Sequence, residues 1–283
     1  MIDFDKYDIV HVGVSGGKDS TAALLYMRHE SGCPLEKLYA TFCDTENEHE
    51  FTYDHVKMID DKIHPVTTIK SELGFYGLAK KKKRFPSTKA RFCTQYLKMQ
   101  VTQAHIKEWQ YQDKNVLLVS GIRANESLAR NNMDEFALDE YYMCDSWRPL
   151  LQWTIEDVWA IHAKYSIPRN PLYDYGARRV GCFPCINSSK GEMRIIAEKF
   201  PERIDMIREK EKEIDSSFFP PRKIPDRFCS KEYQAKDGRV VKIPLIDDVV
   251  EWSKTGKFRP DQFEMNFDED KFLRCDSSIG HCE

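Results

Sequence analysis

Residues 12–21, VGVSGGKDST, bring two adjacent glycines, a lysine, an aspartate and several hydroxyls into one short stretch. Gly16 and Gly17 allow a backbone to approach an anion closely, Lys18 supplies a point charge, and Ser15 and Ser20 can donate hydroxyls. The common phosphate loop, G-x-x-x-x-G-K-S/T, has its hydroxyl directly after the lysine. Here Asp19 follows Lys18, and Ser20 comes one place late. An acid is a poor element of a bare phosphate cradle. It fits one that receives magnesium together with a polyphosphate, because that ion takes one or two carboxylates and keeps several waters.

Other residues have types that could serve the same chemistry. Arg123, in GIRANESLAR, suits bidentate contact with phosphoryl oxygens. Glu126 could orient it, while Arg130 and Arg148 are further candidates that also read as a surface pair and a structural salt bridge. Asp44 could hold magnesium or a nucleotide hydroxyl, or simply cap the next helix. Cys182 and Cys185, in GCFPC, form a chelating turn whose thiolates suit an iron–sulfur cluster or zinc; a redox pair is the other reading. The chain has nine cysteines, an odd number that argues against a disulfide framework, and Cys33, Cys43 and Cys144 read as ordinary thiols.

These residues need a scaffold that gathers them. YDIVHVGV (7–14), KLYATFCDT (37–45), HPVTTIK (64–70) and KNVLLVSGIR (114–123) read as strands. They alternate with helices at DSTAALLYMRHE, EFTYDHVKMIDDK and YLKMQVTQAHIKEWQ. That alternation predicts an α/β fold with a doubly wound parallel sheet, whose ligands bind at the strand C-terminal ends. The loop 15–20, Asp44 and Arg123 all fall at such ends. TIEDVW predicts a capped helix start, with Thr154 at the N-cap and Asp157 three residues on. Beyond about residue 170 the chain turns charged, Pro-rich and cysteine-bearing. We therefore expect a nucleotide-binding domain over 1–169 and a smaller, mostly helical and irregular region over 170–283.

With 283 residues, 41% hydrophobic content and a net charge of −3, the chain can bury a core and has no global bias towards nucleic acid. Locally, AKKKKRFPSTKARF (79–92) is strongly basic, with Phe85 and Phe92 interleaved. Its stretch 80–91 reads as a solvated face or as a rim for polynucleotide phosphates, to which Arg178 and Arg179 could add. Trp147, Trp153 and Trp159 read as packing residues, and the histidines have no metal-like spacing. No long apolar run exists and MIDFDKYDIV is acidic, so a cytoplasmic protein without a membrane partner is expected.

SGGKDS resembles the PP-loop of the ATP pyrophosphatase superfamily. DTENEHEFTYDHV, RFCTQYLK, GIRANES, WRPLLQWTIEDVW, NPLYDYGARRVGCFPC and CDSSIGHCE are similar, in order, to the phosphoadenosine-phosphosulfate (PAPS) reductase-like branch. The resemblance implies an adenine nucleotide alpha-hydrolase-like fold binding ATP and magnesium through Ser15, Gly16, Gly17, Lys18, Asp19, Ser20, Asp44 and Arg123. It implies catalysis by Lys18, Asp19 and Arg123, with Cys282 as a sulfur-relaying nucleophile. It also implies a 4Fe–4S cluster on Cys93, Cys182 and Cys185, with Cys275 or Cys282 as the fourth ligand or that position open for sulfide, and with zinc as the alternative. The intact loop resembles that of the enzymes that adenylylate an oxygen for sulfur insertion, above all those of DNA phosphorothioation. Their partners are nucleic acid, a cysteine desulfurase or other sulfur donor, and modification proteins. The alternatives are a sulfonucleotide reductase and a nucleotide-binding subunit without turnover. RFCTQ has one cysteine where cluster-bearing reductases have two, and the end GHCE orders its residues differently from cluster-free ones.

Overall fold

The computed structural model describes residues 2–235 and 237–256. In chain order the first elements are β1 (Ile9–Val14), α1 (Lys18–His29), β2 (Leu38–Asp44), α2 (Glu50–Lys62) and β3 (Val66–Lys70). Next come α3 (Gly74–Lys82), α4 (Phe92–Thr94), a π-helical turn Gln95–Met99, α5 (Gln100–Gln110) and β4 (Val116–Val119). Then follow α6 (Leu128–Asn131), β5 (Phe136–Asp139), β6 (Cys144–Trp147) and α7 (Ile155–Lys164). The last elements are α8 (Lys190–Lys199), α9 (Pro201–Ile214), β7 (Lys231–Gln234), β8 (Val240–Ile243) and α10 (Ile246–Lys254).

The chain divides into two units, one of residues 2–72 and 94–182, the other of residues 73–93 and 183–256. The second unit thus takes in an excursion between β3 and α5, and its longer part begins at Phe183.

The first unit is built on a six-stranded sheet in the order β3-β2-β1-β4-β6-β5. All neighbouring pairs are parallel except the edge pair β5·β6. The central strands are apolar along their length because both faces are covered. Val10, Val12, Val14, Leu117 and Val119 face a core shared with α1 and α7, whereas Ile9, Val116 and Leu118 pack with Ile106 of α5 on the other side. Helices therefore lie on both faces, and β1 sits between β2 and β4, where the winding reverses. In such sheets the crevice at that switch point is the ligand site. α7 starts on the predicted capping box, with Thr154 Oγ1 accepting from the Asp157 N–H at 3.2 Å and Asp157 accepting from the Thr154 N–H at 2.8 Å.

Among the described residues the second unit is helical apart from the β7–β8 hairpin. Its core includes Phe75, Phe85 and Phe218, whose ring centroids lie 5.2–6.3 Å apart. Phe183 packs edge-on against Phe200.

Candidate functional site

The chain leaves β1 at Val14, turns through Ser15–Gly17 and enters α1, placing the glycine loop at a helix N-terminus. Gly16 has φ +76°, and a Cβ there would lie 2.9 Å from Thr52 Cγ2, so both conformation and space require glycine. The loop is tied by hydroxyls. Gly17 N–H donates to Ser15 Oγ at 3.2 Å, Ser15 N–H to Ser20 Oγ at 3.1 Å, and Lys18 N–H to the Tyr173 phenol oxygen at 2.9 Å. Thr21 Oγ1 donates to the Gly17 carbonyl at 2.8 Å. Ser15, Gly16, Gly17 and Ser20 thus come together in one compact loop at the N-terminus of α1, a place that suits an anion.

Beneath it lies a charged cluster. Asp19 is fully buried and meets Lys18 Nζ at 2.6 Å and Arg123 Nε at 2.5 Å. Arg123 comes from the turn after β4, and it reaches Asp19 because Gly121 lets the two backbones touch. A Cβ on Gly121 would fall 2.5 Å from the Asp19 carbonyl oxygen. Two cations and one anion leave the cluster at +1, directly under the loop. As placed, the acid holds the two cations in position. Glu126 accepts the Arg123 backbone N–H at 3.0 Å and pairs with Arg130. Arg148 donates to the Asp134 carbonyl at 2.9 Å, and burial draws its pKa below the ordinary value.

Three residues that the sequence did not single out individually support the loop. His162 Nε2 lies 2.8 Å from the Lys18 carbonyl, to which it donates, and burial draws its pKa down, which favours the neutral ring. Asn170 Nδ2 donates to the Gly16 carbonyl at 3.3 Å. Tyr173, besides holding the Lys18 N–H, has Lys18 Nζ 5.6 Å from its ring centroid and Trp159 edge-on at 5.5 Å. Trp147 and Trp153 pack against Tyr26, as expected of core residues.

Asp44, at the end of β2, accepts from the Tyr53 hydroxyl and the Glu46 N–H, each at 2.8 Å. Nearby, Glu48 is buried and accepts the Thr45 hydroxyl at 2.7 Å and the Thr45 N–H at 3.1 Å; burial pushes its carboxyl pKa up. Cys182 forms a β-bridge with Glu48, and its Sγ lies 3.4 Å from Thr45 Oγ1. Cys182 belongs to the first unit, Cys93 and Cys185 to the second. Cys275 and Cys282 lie outside the described residues. Among the described residues no three His, Cys, Asp or Glu side chains group so as to hold a metal ion. Cys33, Cys43 and Cys144 are buried, and burial pushes the Cys33 thiol up to about 11 and the Cys144 thiol up to about 12. These are inert thiols.

In the basic stretch, Lys80–Lys82 end α3 and Lys83 caps it in the left-handed region, φ +53°. Lys80 pairs with Glu213 at 2.7 Å, while Lys81, Lys83, Arg84 and Lys89 are exposed. Phe85 and Phe92 are buried in the second unit, so they offer no stacking surface between the charges. Among the described residues no helix is long and apolar enough to cross a membrane.

A model of the phosphoadenosine phosphosulfate reductase domain matches residues 9–188. An uncharacterised 37.8 kDa protein of Escherichia phage 186 is 31% identical over 80% of this chain and 84% of its own length. An uncharacterised protein of Methanocaldococcus jannaschii is 29% identical over 68% of this chain, which spans 39% of that relative. The adenosine 5'-phosphosulfate reductase of Oceanobacillus iheyensis is 36% identical over 24% of this chain and 28% of its own length. Among solved structures, the PAPS reductase of Candida auris has 19% identity and a TM-score of 0.48, covering 62% of this chain and 82% of its own. The chain belongs to the phosphoadenosine phosphosulfate reductase domain family.

Proposed function

We propose that this protein is a PP-loop ATP pyrophosphatase that adenylylates an acceptor oxygen in preparation for sulfur insertion. MgATP is the substrate, its phosphates seated on Ser15–Ser20. The acceptor oxygen attacks the α-phosphorus, the bond to the bridging oxygen breaks, and pyrophosphate leaves. The terminal sulfur of a persulfide on an external donor then attacks the activated acceptor and AMP leaves. An added thiol reductant cleaves the resulting disulfide, which leaves the sulfur on the acceptor and returns the donor's thiol. Lys18 and Arg123 offset the negative charge that builds on the leaving pyrophosphate, which is the work of fixed cations in phosphoryl chemistry. Asp19 keeps both in place, and the loop amides orient the chain of phosphates.

The observation that carries this reading is the buried Lys18–Asp19–Arg123 cluster beneath a complete SGGKDS loop. We take the acceptor to be nucleic acid, drawn by the exposed cations of the stretch 80–91, with a cysteine desulfurase as the class of sulfur donor. The 4Fe–4S cluster enters no step.

A second reading, sulfonucleotide reduction to sulfite, is favoured by the family match and by the segment shared with adenosine 5'-phosphosulfate reductases. One assay separates the two. Pyrophosphate released from ATP with an oligonucleotide present, and abolished in Lys18→Ala, supports the pyrophosphatase. Sulfite released from a sulfonucleotide with no ATP consumed overturns it.

A further inference from the structure

Beside the phosphate loop lies a pair of aromatic rings for which the reaction above has no use. Phe51, in the first turn of α2, and Tyr175, just past the Asn170–Tyr173 segment, stack with centroids 5.9 Å apart and planes 15° from parallel. Tyr175 is 42% exposed and Phe51 half-buried. The pair is held from both chain directions. His49 caps α2 by accepting the Phe51 N–H on Nδ1 at 3.1 Å, and its buried ring backs Phe51 at 4.7 Å. Tyr175 N–H donates to the Leu172 carbonyl at 3.2 Å, and Gly176, at φ +91°, turns the chain away after it.

Each ring is also close in sequence to a residue that lies against the loop. Thr52, next to Phe51, is the residue whose Cγ2 a side chain on Gly16 would strike. Tyr173, two residues before Tyr175, holds the Lys18 N–H. An aromatic pair one residue from Thr52 and two from Tyr173, both against the phosphate loop, is what a ligand with a phosphate at one end and a flat heterocycle at the other would meet.

We propose that Phe51 and Tyr175 form a stacking shelf for a nucleobase at the rim of the loop. Base stacking on such side chains tolerates any base, because every base has a π-face. Arg178, three residues further on in the chain, is exposed. The proposal rests on residues 15–20 being a nucleotide-phosphate loop. The base is either that of ATP or that of the acceptor strand, since both present the same flat heterocycle.

The test is direct binding to the full chain, without turnover. The probes are ATP, inorganic tripolyphosphate, a short single-stranded oligonucleotide and its abasic counterpart, and the variants are Tyr175→Ala and Tyr175→Phe. Tyr175→Ala is expected to weaken a base-bearing probe by roughly 5- to 150-fold, the range for one stacked base. Tyr175→Phe keeps the ring and the affinity. Unchanged tripolyphosphate binding in Tyr175→Ala shows that the variant is folded and its loop intact. Loss confined to ATP assigns the shelf to the nucleotide's own base, and loss confined to the oligonucleotide assigns it to the acceptor. Parent-like binding of every base-bearing probe by Tyr175→Ala overturns the proposal, as does an equal loss for tripolyphosphate or a parent that binds no base-bearing probe. Failure of the parent to release pyrophosphate would refute the pyrophosphatase reading alone, because the binding measurements do not depend on it.

Discussion

Replacing Asp19 with asparagine tests whether the acid in the loop is there for the cations around it. The substitution keeps shape and removes one charge from a fully buried site contacted by Lys18 at 2.6 Å and Arg123 at 2.5 Å. At an effective dielectric of about 20, unit charges roughly 4 Å apart attract by about 4 kcal/mol. Stripping a buried cation of its partner typically costs about 3–5 kcal/mol, because the remaining charge stays desolvated. Asparagine leaves no cavity and can still accept one hydrogen bond, so a loss of about 3 kcal/mol, the lower end, is expected. Urea unfolding followed by tryptophan fluorescence measures it well, since Trp109, Trp147, Trp153 and Trp159 all lie in the first unit and only Trp252 in the second. Tripolyphosphate supplies the missing counter-charge and stabilises whatever binds it. It should therefore raise the midpoint of Asp19→Asn more than that of the parent. A loss below about 1 kcal/mol, within the range of exposed ion pairs, refutes the argument. So does a deficit that the anion leaves untouched; a magnesium requirement lost with stability intact would make Asp19 a metal ligand first.

Gly121→Ala sets a Cβ 2.5 Å from the Asp19 carbonyl oxygen and 2.8 Å from its carbon, both backbone atoms that cannot rotate away. It should lower unfolding stability by about 1–3 kcal/mol and weaken tripolyphosphate binding together; a parent-like melting point and affinity would show that the approach has slack. In the second unit, burial raises the Glu211 carboxyl to about 7, although the Phe218 and Ile246 N–H groups it accepts pull the other way. The folded state then holds the proton more tightly than the unfolded one. The stability this gives is complete below the ordinary pKa of 4.5 and is lost as pH rises through about 7. The span is at most about 3 kcal/mol. Protection of the Phe218 and Ile246 amides against hydrogen exchange, corrected for intrinsic rate, should fall between pH 5 and pH 8 in the parent and stay flat in Glu211→Gln. A parent profile as flat as the variant's counts against it.

β1, β2 and β4 were legible because strands buried on both faces must be apolar along their length, and the capping box of α7 was legible because it is local. β5 and β6 were not, having four residues each, with Asp139 and Asp145 among them. Their turn is set by Asp139, whose Oδ1 accepts the N–H groups of Tyr141 and Tyr142, a pattern that composition hides. The same division holds in the site. The glycine loop announced itself, whereas the Asp19–Arg123 pair spans 104 positions and the His162–Lys18 contact spans 144. Tyr173 reads as one more aromatic until its hydroxyl is found on the Lys18 amide. In the basic stretch the charges were plain, but whether Phe85 and Phe92 faced water depended on a core assembled from distant segments.

An acid in a phosphate loop is costly only if the loop is considered with its ligand bound. Before the anion arrives, Lys18 and Arg123 are two nearly buried cations that repel each other, and burial alone would favour expelling one of them. Asp19 removes that repulsion and fixes both side chains where a polyphosphate will need them, so little rearrangement is required on binding. The remaining charge of +1, added to the positive end of α1 and the loop amides, is a weaker attractor than two bare cations would be. It favours ligands that carry several negative charges on linked phosphates over a single small anion, because only the former can engage the amides, Lys18 and Arg123 together. The Tyr173 hydroxyl sharpens the same preference, since an incoming oxygen must take the Lys18 N–H from a group that already accepts it. Such a loop would stand ready without ligand and yield to a polyphosphate, as the proposed pyrophosphatase chemistry requires.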